Sequence, residues 1–192
     1  MSEGALQGGF STAPIQSAHA FRAALAALSR PGTLQTVDGA MPPAPLSVAA
    51  AVLILTLCDG TTPVHLAGEH DGATVRGWIG FHTGAPIVCA ESASFAIGTW
   101  PDLQPVARFR TGTAAYPDRS ATLIVEVPDL SASGACLTGP GIKEEARLSL
   151  PEVAAFQANR AGFPLGFDCF FTSGALLAGL PRSTWVEDGG CM

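Results

Sequence analysis

Short apolar runs alternate with polar breaks along the chain, and the spacing within each run separates helix from strand. "SAHAFRAALAALSRPGT" sets Phe21, Ala24, Leu25 and Leu28 at helical spacing, which predicts a helix capped by Ser17 and stopped by Pro31-Gly32. Ser47 predicts the start of a second helix running to about Leu57, apolar on all sides and therefore buried on most of them. "DGATVRGWIGFH" predicts a third, with Val75, Trp78 and Ile79 on one face and Asp71 near its start. "SLPEVAAFQANRAG" predicts a fourth, with Ser149 as cap, Pro151 in the first turn and Gly162 after the end. "TWPDLQPVARF" begins as a helix capped by Thr99, with Pro101 near its first turn, until Pro105 interrupts it.

The remaining apolar runs read as strands: "TPVHLAG", "APIVCA", "ASFAIG", "SATLIVEV" and "ACLTG". "FDCFFTSGALLAGLP" reads as a hairpin turning at Ser173-Gly174. Strands interleaved with helices predict an α/β fold, a single domain over residues 1–192 with a mixed sheet flanked by helices. Residues 1–14 and 188–192 are expected to be flexible tails.

Composition narrows the function classes. Of 192 residues, 47% are hydrophobic and 14% charged, which suits a packed globular core. A formal charge of −6 argues against a nucleic-acid surface, which needs clustered Lys and Arg. "MSEGALQGGF" lacks the basic and apolar regions of a secretory leader. "LSVAAAVLILTLC" is too short to span a bilayer, and "FPLGFDCFFTSGALLAGLP" is broken by Asp168, prolines and glycines. The expected setting is the cytoplasm. Cys58, Cys89, Cys136, Cys169 and Cys191 agree: their number is odd, they form no CxxC, and most lie in apolar stretches, as reduced core thiols do.

"CLTGPGIKEE" invites comparison with phosphate loops. A P-loop needs GxxxxGK[ST]; from Gly134 the second glycine falls at Gly139, but Pro140 stands where lysine is required. A dinucleotide fingerprint needs a third glycine where Glu144 stands. A tight turn at Gly139 and Gly141 is therefore favoured over an anion cradle. There is no GxSxG elbow and no HExxH, and His65 and His70 do not share a helix face, so no metal site is expected. Among the histidines, His82 in "GFHTGAP" is placed best to reach a cleft. Pyridoxal phosphate would need a Schiff-base lysine, and Lys143, beside two glutamates, is the single lysine. No cofactor is expected. Asp168 in "GFDCFF" fits a structural pair with Arg182 or a site role equally well, and Asp59 in "LCDGTTPV" fits a turn with Gly60.

Six ordered segments, "FRAALAALSRPGT", "TLCDGTTPVHL", "FHTGAP", "GTAAYPDRSATLIVEV", "LTGPGI" and "FPLGFDCFFTSGALLAGLPRSTWVE", resemble those of the PhnH family of the bacterial phosphonate carbon–phosphorus lyase system. The resemblance spans about residues 15 to 187. It departs after Arg182-Ser183-Thr184, where the family often has a basic residue and this chain has Trp185. It implies a fold similar to the large domain of pyridoxal phosphate-dependent transferases, without the cofactor. It also implies a homodimer that assembles with PhnG, PhnI and PhnJ into the lyase core complex. That system moves the ribose triphosphate of ATP onto a phosphonate and releases adenine. The chain is then expected to be a non-catalytic assembly subunit; the alternative is an enzyme component that itself holds the nucleotide or phosphonate. Candidate ligand-binding or interface residues are His82, Gly139, Gly141, Asp168, Arg182 and Thr184, and no catalytic residue is identified.

Overall fold

The computed structural model describes residues 7–189, and in them the apolar periods resolve into four helices and nine strands. Six strands form one mixed sheet. Strand β1 (Gln35–Thr36) lies at one edge and β2 (Val64–Leu66) at the other. Between them run β8 (Leu176–Leu180), β7 (Asp168–Ser173), β4 (Thr122–Glu126) and β3 (Phe95–Thr99). Strands β2, β3, β4 and β7 are parallel, with Thr99, Glu126 and Thr172 in register, and β8 turns back antiparallel to β7. A separate antiparallel sheet joins β5 (Ala135–Thr138) to β6 (Ala146–Leu148) and β9 (Trp185–Glu187).

Alternation along the strands sends side chains into two cores. Ile97, Ile124, Phe170 and Leu177 face helices α1 (Ala13–Ser29), α2 (Val48–Leu57) and α3 (Ala73–Thr83). Leu123, Val125, Phe171 and Ala178 face α4 (Val153–Ala161) and the small sheet. The predicted mixed α/β sheet is thus present, as a middle layer covered on both sides.

Helix α2 starts as its sequence predicts. The Ser47 hydroxyl accepts the Ala50 N–H at 3.1 Å, and Ala49 through Ile54 are all buried. Ser47→Ala removes this cap and is expected to lower stability by about 1 kcal/mol in urea denaturation, with the fold intact. Asp59 makes its predicted turn: one carboxylate oxygen accepts from the Thr61 hydroxyl and N–H and from the Thr62 hydroxyl. These bonds, the Thr61 hydroxyl first, hold its carboxyl below the usual range.

Several expectations need correction. Helix α1 begins at Ala13 with Pro14 in its first turn, and Ser17 lies inside it, donating back to the Ala13 carbonyl. Its buried face is Ala20, Ala24 and Ala27, whereas Phe21 and Leu25 are 52% and 57% exposed. Small side chains let α1 approach the sheet so closely that a methyl group on Gly179 of β8 would meet the Ala27 backbone at 2.6 Å. "APIVCA" is not a strand; Ile87 bridges Val64 alone, and the chain then tightens into a 3₁₀ turn over Ala90–Ser92. "TWPDLQPVARF" makes a helical turn, Leu103 N–H to Thr99 carbonyl, that Pro105 supplies no donor to continue, and a separate 3₁₀ turn over Val106–Arg108 follows. Ser149 accepts the Ser131 N–H instead of capping α4, which Glu152 precedes. The β7–β8 turn falls at Gly174-Ala175, one residue later than expected. Of the expected tails, residues 1–6 and 190–192 (with Cys191) lie outside the described residues. Within 7–12, the Gly8 carbonyl accepts the Met41 N–H, and the Gln7 carbonyl accepts the Trp78 indole N–H.

Candidate functional site

The parallel strands β2, β3, β4 and β7 all end on one edge of the main sheet, where doubly wound folds place their ligands. A cleft of about 690 Å³ lies there, within the size range of small-molecule sites. Each wall comes from a strand end or the loop after it: His70 follows β2, Thr99 ends β3, Glu126 ends β4, and Ser173 ends β7. The cap of α2, Ser47, closes one side.

Glu126 is the fixed point of the cleft. One of its carboxylate oxygens accepts the Ser47 N–H at 2.8 Å, and the other accepts the Thr172 hydroxyl at 2.9 Å. The positive end of α2 therefore already faces a carboxylate, which the helix dipole favours as an anion. His70 Nε2 stands 3.8 Å from the same carboxylate, beyond hydrogen-bond reach. His70 is only 2% exposed, and neither ring nitrogen has a partner among the described residues. A buried imidazole without partners is costly and uncommon. Nearby, Thr99 donates its hydroxyl to Asp102 at 2.6 Å.

The six residues singled out from sequence lie elsewhere; none lines this cleft. Asp168 opens β7 on the opposite edge of the sheet, where it meets Arg182 after β8. One Asp168 oxygen accepts the Arg182 backbone N–H at 2.8 Å and Nε–H at 3.1 Å, and the other accepts Nη2–H at 2.5 Å. The guanidinium also donates to the Pro117 carbonyl and to Ser120. Gly139 and Gly141 sit between β5 and β6 with φ of +123° and +85°, and Ile142 N–H closes the turn on the Gly139 carbonyl at 3.1 Å. Thr184 backs onto Gly139; it is 2% exposed and its hydroxyl has no partner among the described residues. His82 lies in the last turn of α3 with its ring against Trp78 and Phe81 and Nε2 3.3 Å from the Gln7 carbonyl. The structure thus joins Asp168 to Arg182 and Gly139 to Thr184, and leaves His82 apart from both pairs.

The thiols separate by depth. Cys58 and Cys169 are buried, and burial pushes the Cys58 thiol up to about 12 and that of Cys169 well above its usual value. Cys89 is exposed. Among the described residues, no helix is long and apolar enough to cross a membrane, and no three His, Cys, Asp or Glu side chains stand together as metal ligands would.

The chain is thus a three-layer α/β domain with a cleft of mixed polar and apolar lining at the carboxyl ends of its parallel strands. The chain belongs to the family described as "Bacterial phosphonate metabolism protein (PhnH)", whose model matches residues 8–187. It is 37% identical over 189 residues to subunit PhnH of alpha-D-ribose 1-methylphosphonate 5-triphosphate synthase from Rhizobium meliloti (strain 1021), covering 94% of each chain. It is 29% identical over 175 residues to a Stutzerimonas stutzeri protein whose description carries the words "C-P lyase subunit protein HtxG", covering 88% of this chain and 84% of that one.

Proposed function

We propose that this chain is the PhnH-type subunit of a bacterial complex that transfers the ribose triphosphate of ATP to a phosphonate and releases adenine. The observation that carries this reading is the family match across residues 8–187, together with a relative that bears the synthase subunit name over nearly its whole length. Within the complex the chain acts as a non-catalytic subunit. The mutual satisfaction of Asp168 and Arg182 supports this, because a charge pair committed to its own hydrogen bonds is a structural lock rather than a reacting pair. The chain works as one domain in the cytoplasm, and it pairs with itself and joins PhnG, PhnI and PhnJ. The exposed Ile15, Phe21 and Leu25 on α1 offer apolar contact area for such pairing. We take the fold to be akin to the large domain of pyridoxal phosphate-dependent transferases, and the exposed position of Lys143, the single lysine, supports a chain that forms no Schiff base.

Complementation tests the reading. A strain that uses methylphosphonate as its phosphorus source loses growth when its own PhnH gene is deleted, and this chain is expected to restore it. Tagged chain recovered from those cells should carry PhnG, PhnI and PhnJ. Failure of both results removes the proposal.

A further inference from the structure

We propose that the cleft at the strand ends is a binding site for a neutral hydroxyl-bearing group, the ribosyl moiety of a nucleotide, and not for its phosphates. The choice of a ribosyl group rests on the function proposed above; the choice of a hydroxyl rests on the cleft alone.

Charge decides the first part. Glu69, Asp102 and Glu126 line the cleft, and no Lys or Arg does. The N-terminus of α2, where Ser47 lines the cleft, is already occupied by Glu126 through the Ser47 N–H. A triphosphate or phosphonate would meet three acids with no counter-charge. An anion has to be held elsewhere.

Hydrogen-bond valence decides the second part. His70 Nε2 and Glu126 Oε1 stand 3.8 Å apart, too far to bond each other and close enough to share one bridging atom. With Nε2 protonated, the bridging group has to accept from the imidazole and donate to the carboxylate. A hydroxyl does both. An ionised phosphate oxygen only accepts and would meet the carboxylate as a like charge, and an ammonium only donates. The ring nitrogens are screened from solvent while the Glu126 side chain is 11% exposed. A ligand therefore reaches the bridging position from the Glu126 side. Asp102 supplies a second acceptor in the same cleft, so neighbouring hydroxyls of a ribose can be read together, as carboxylates at strand ends read ribose in dinucleotide folds.

Adenosine, 2′,3′-dideoxyadenosine and inorganic phosphate are the probes. Adenosine titrated into the purified chain is expected to bind and to shift the backbone amides of Thr99, Asp102 and Gly174 in nitrogen-15 spectra. Dideoxyadenosine, which keeps the base and loses the diol, should bind at least roughly tenfold more weakly. Phosphate should leave those amides unmoved, and ATP should bind no more tightly than adenosine. Glu126→Gln should weaken adenosine by roughly tenfold or more; if that variant does not fold, the comparison of the two nucleosides on the unaltered chain decides. Equal binding of adenosine and dideoxyadenosine, phosphate shifts at the same amides, or no adenosine binding by a folded chain each overturn the inference. Growth on methylphosphonate separates the two readings. Rescue without adenosine binding sinks the ribosyl site alone, whereas diol-dependent binding with neither rescue nor recovered partners sinks the complex assignment and leaves the hydroxyl site standing.

Discussion

Asp168→Ala is expected to lower the unfolding free energy by about 3 kcal/mol, the low end of the range for stranding one partner of a buried ion pair. The low end applies because the pair is not fully enclosed: the Arg182 side chain is 11% exposed and that of Asp168 is 24% exposed. Removal of the carboxylate leaves the Arg182 backbone N–H, Nε and part of Nη2 without acceptors, and frees the guanidinium from its hold on β7. Pro117 and Ser120 lose their anchor in turn, since the same guanidinium ties down the turn before β4. Arg182→Lys should not rescue the lock, because one ammonium cannot serve acceptors set out for a planar fork. Urea denaturation of both variants checks this. An unchanged midpoint in Asp168→Ala, with phosphonate growth lost, would place Asp168 in a functional site instead.

Gly141→Ala is expected to cost about 2–4 kcal/mol, the sum of a strained backbone and an overpacked contact. Its φ of +85° lies in the left-handed region, and an added methyl group would be driven into the Ser29 carbonyl at the end of α1. Gly139→Ala should cost only about 1 kcal/mol. Its φ is also positive, but the nearest atom to an added methyl group is the Ser183 carbonyl oxygen at an ordinary 3.4 Å. Lys143→Ala should leave stability unchanged. Thermal unfolding of the three variants gives the order directly. A fully stable Gly141→Ala chain that no longer supports phosphonate use would show that the loop cradles an anion rather than turning the chain.

Much of the fold was legible because local rules and tertiary packing agree. Ser47 caps the helix it was expected to cap, "SATLIVEV" forms the central strand β4, and the hairpin of β7 and β8 forms at its glycine. Sequence reading failed where tertiary context chose between equal local options. The helical spacing of α1 fits two faces, and close approach to β8 selected Ala20, Ala24 and Ala27 over Phe21 and Leu25. Strands β1, β6 and β9 have two or three residues each, too few for a period to show. The cleft was missed for a different reason. His70 sits in a polar "GEHDG" that reads as a turn, and only the sheet order brings it to Glu126. One signal was available: an acid at the carboxyl end of the clearest strand, the position where parallel sheets build their sites.

The close seating of α1 also has a mechanical meaning. Alanines at 20, 24 and 27 keep most of that face short, with Leu28 packing beside them, and at Gly179 the two backbones come near touching. A load applied to the outer residues Phe21 and Leu25 would pass through a stiff strut into β8, and from there into β7, which ends at the cleft. A partner that grips the outside of this helix would press on a surface backed directly by the sheet, with little soft packing between them to absorb the contact.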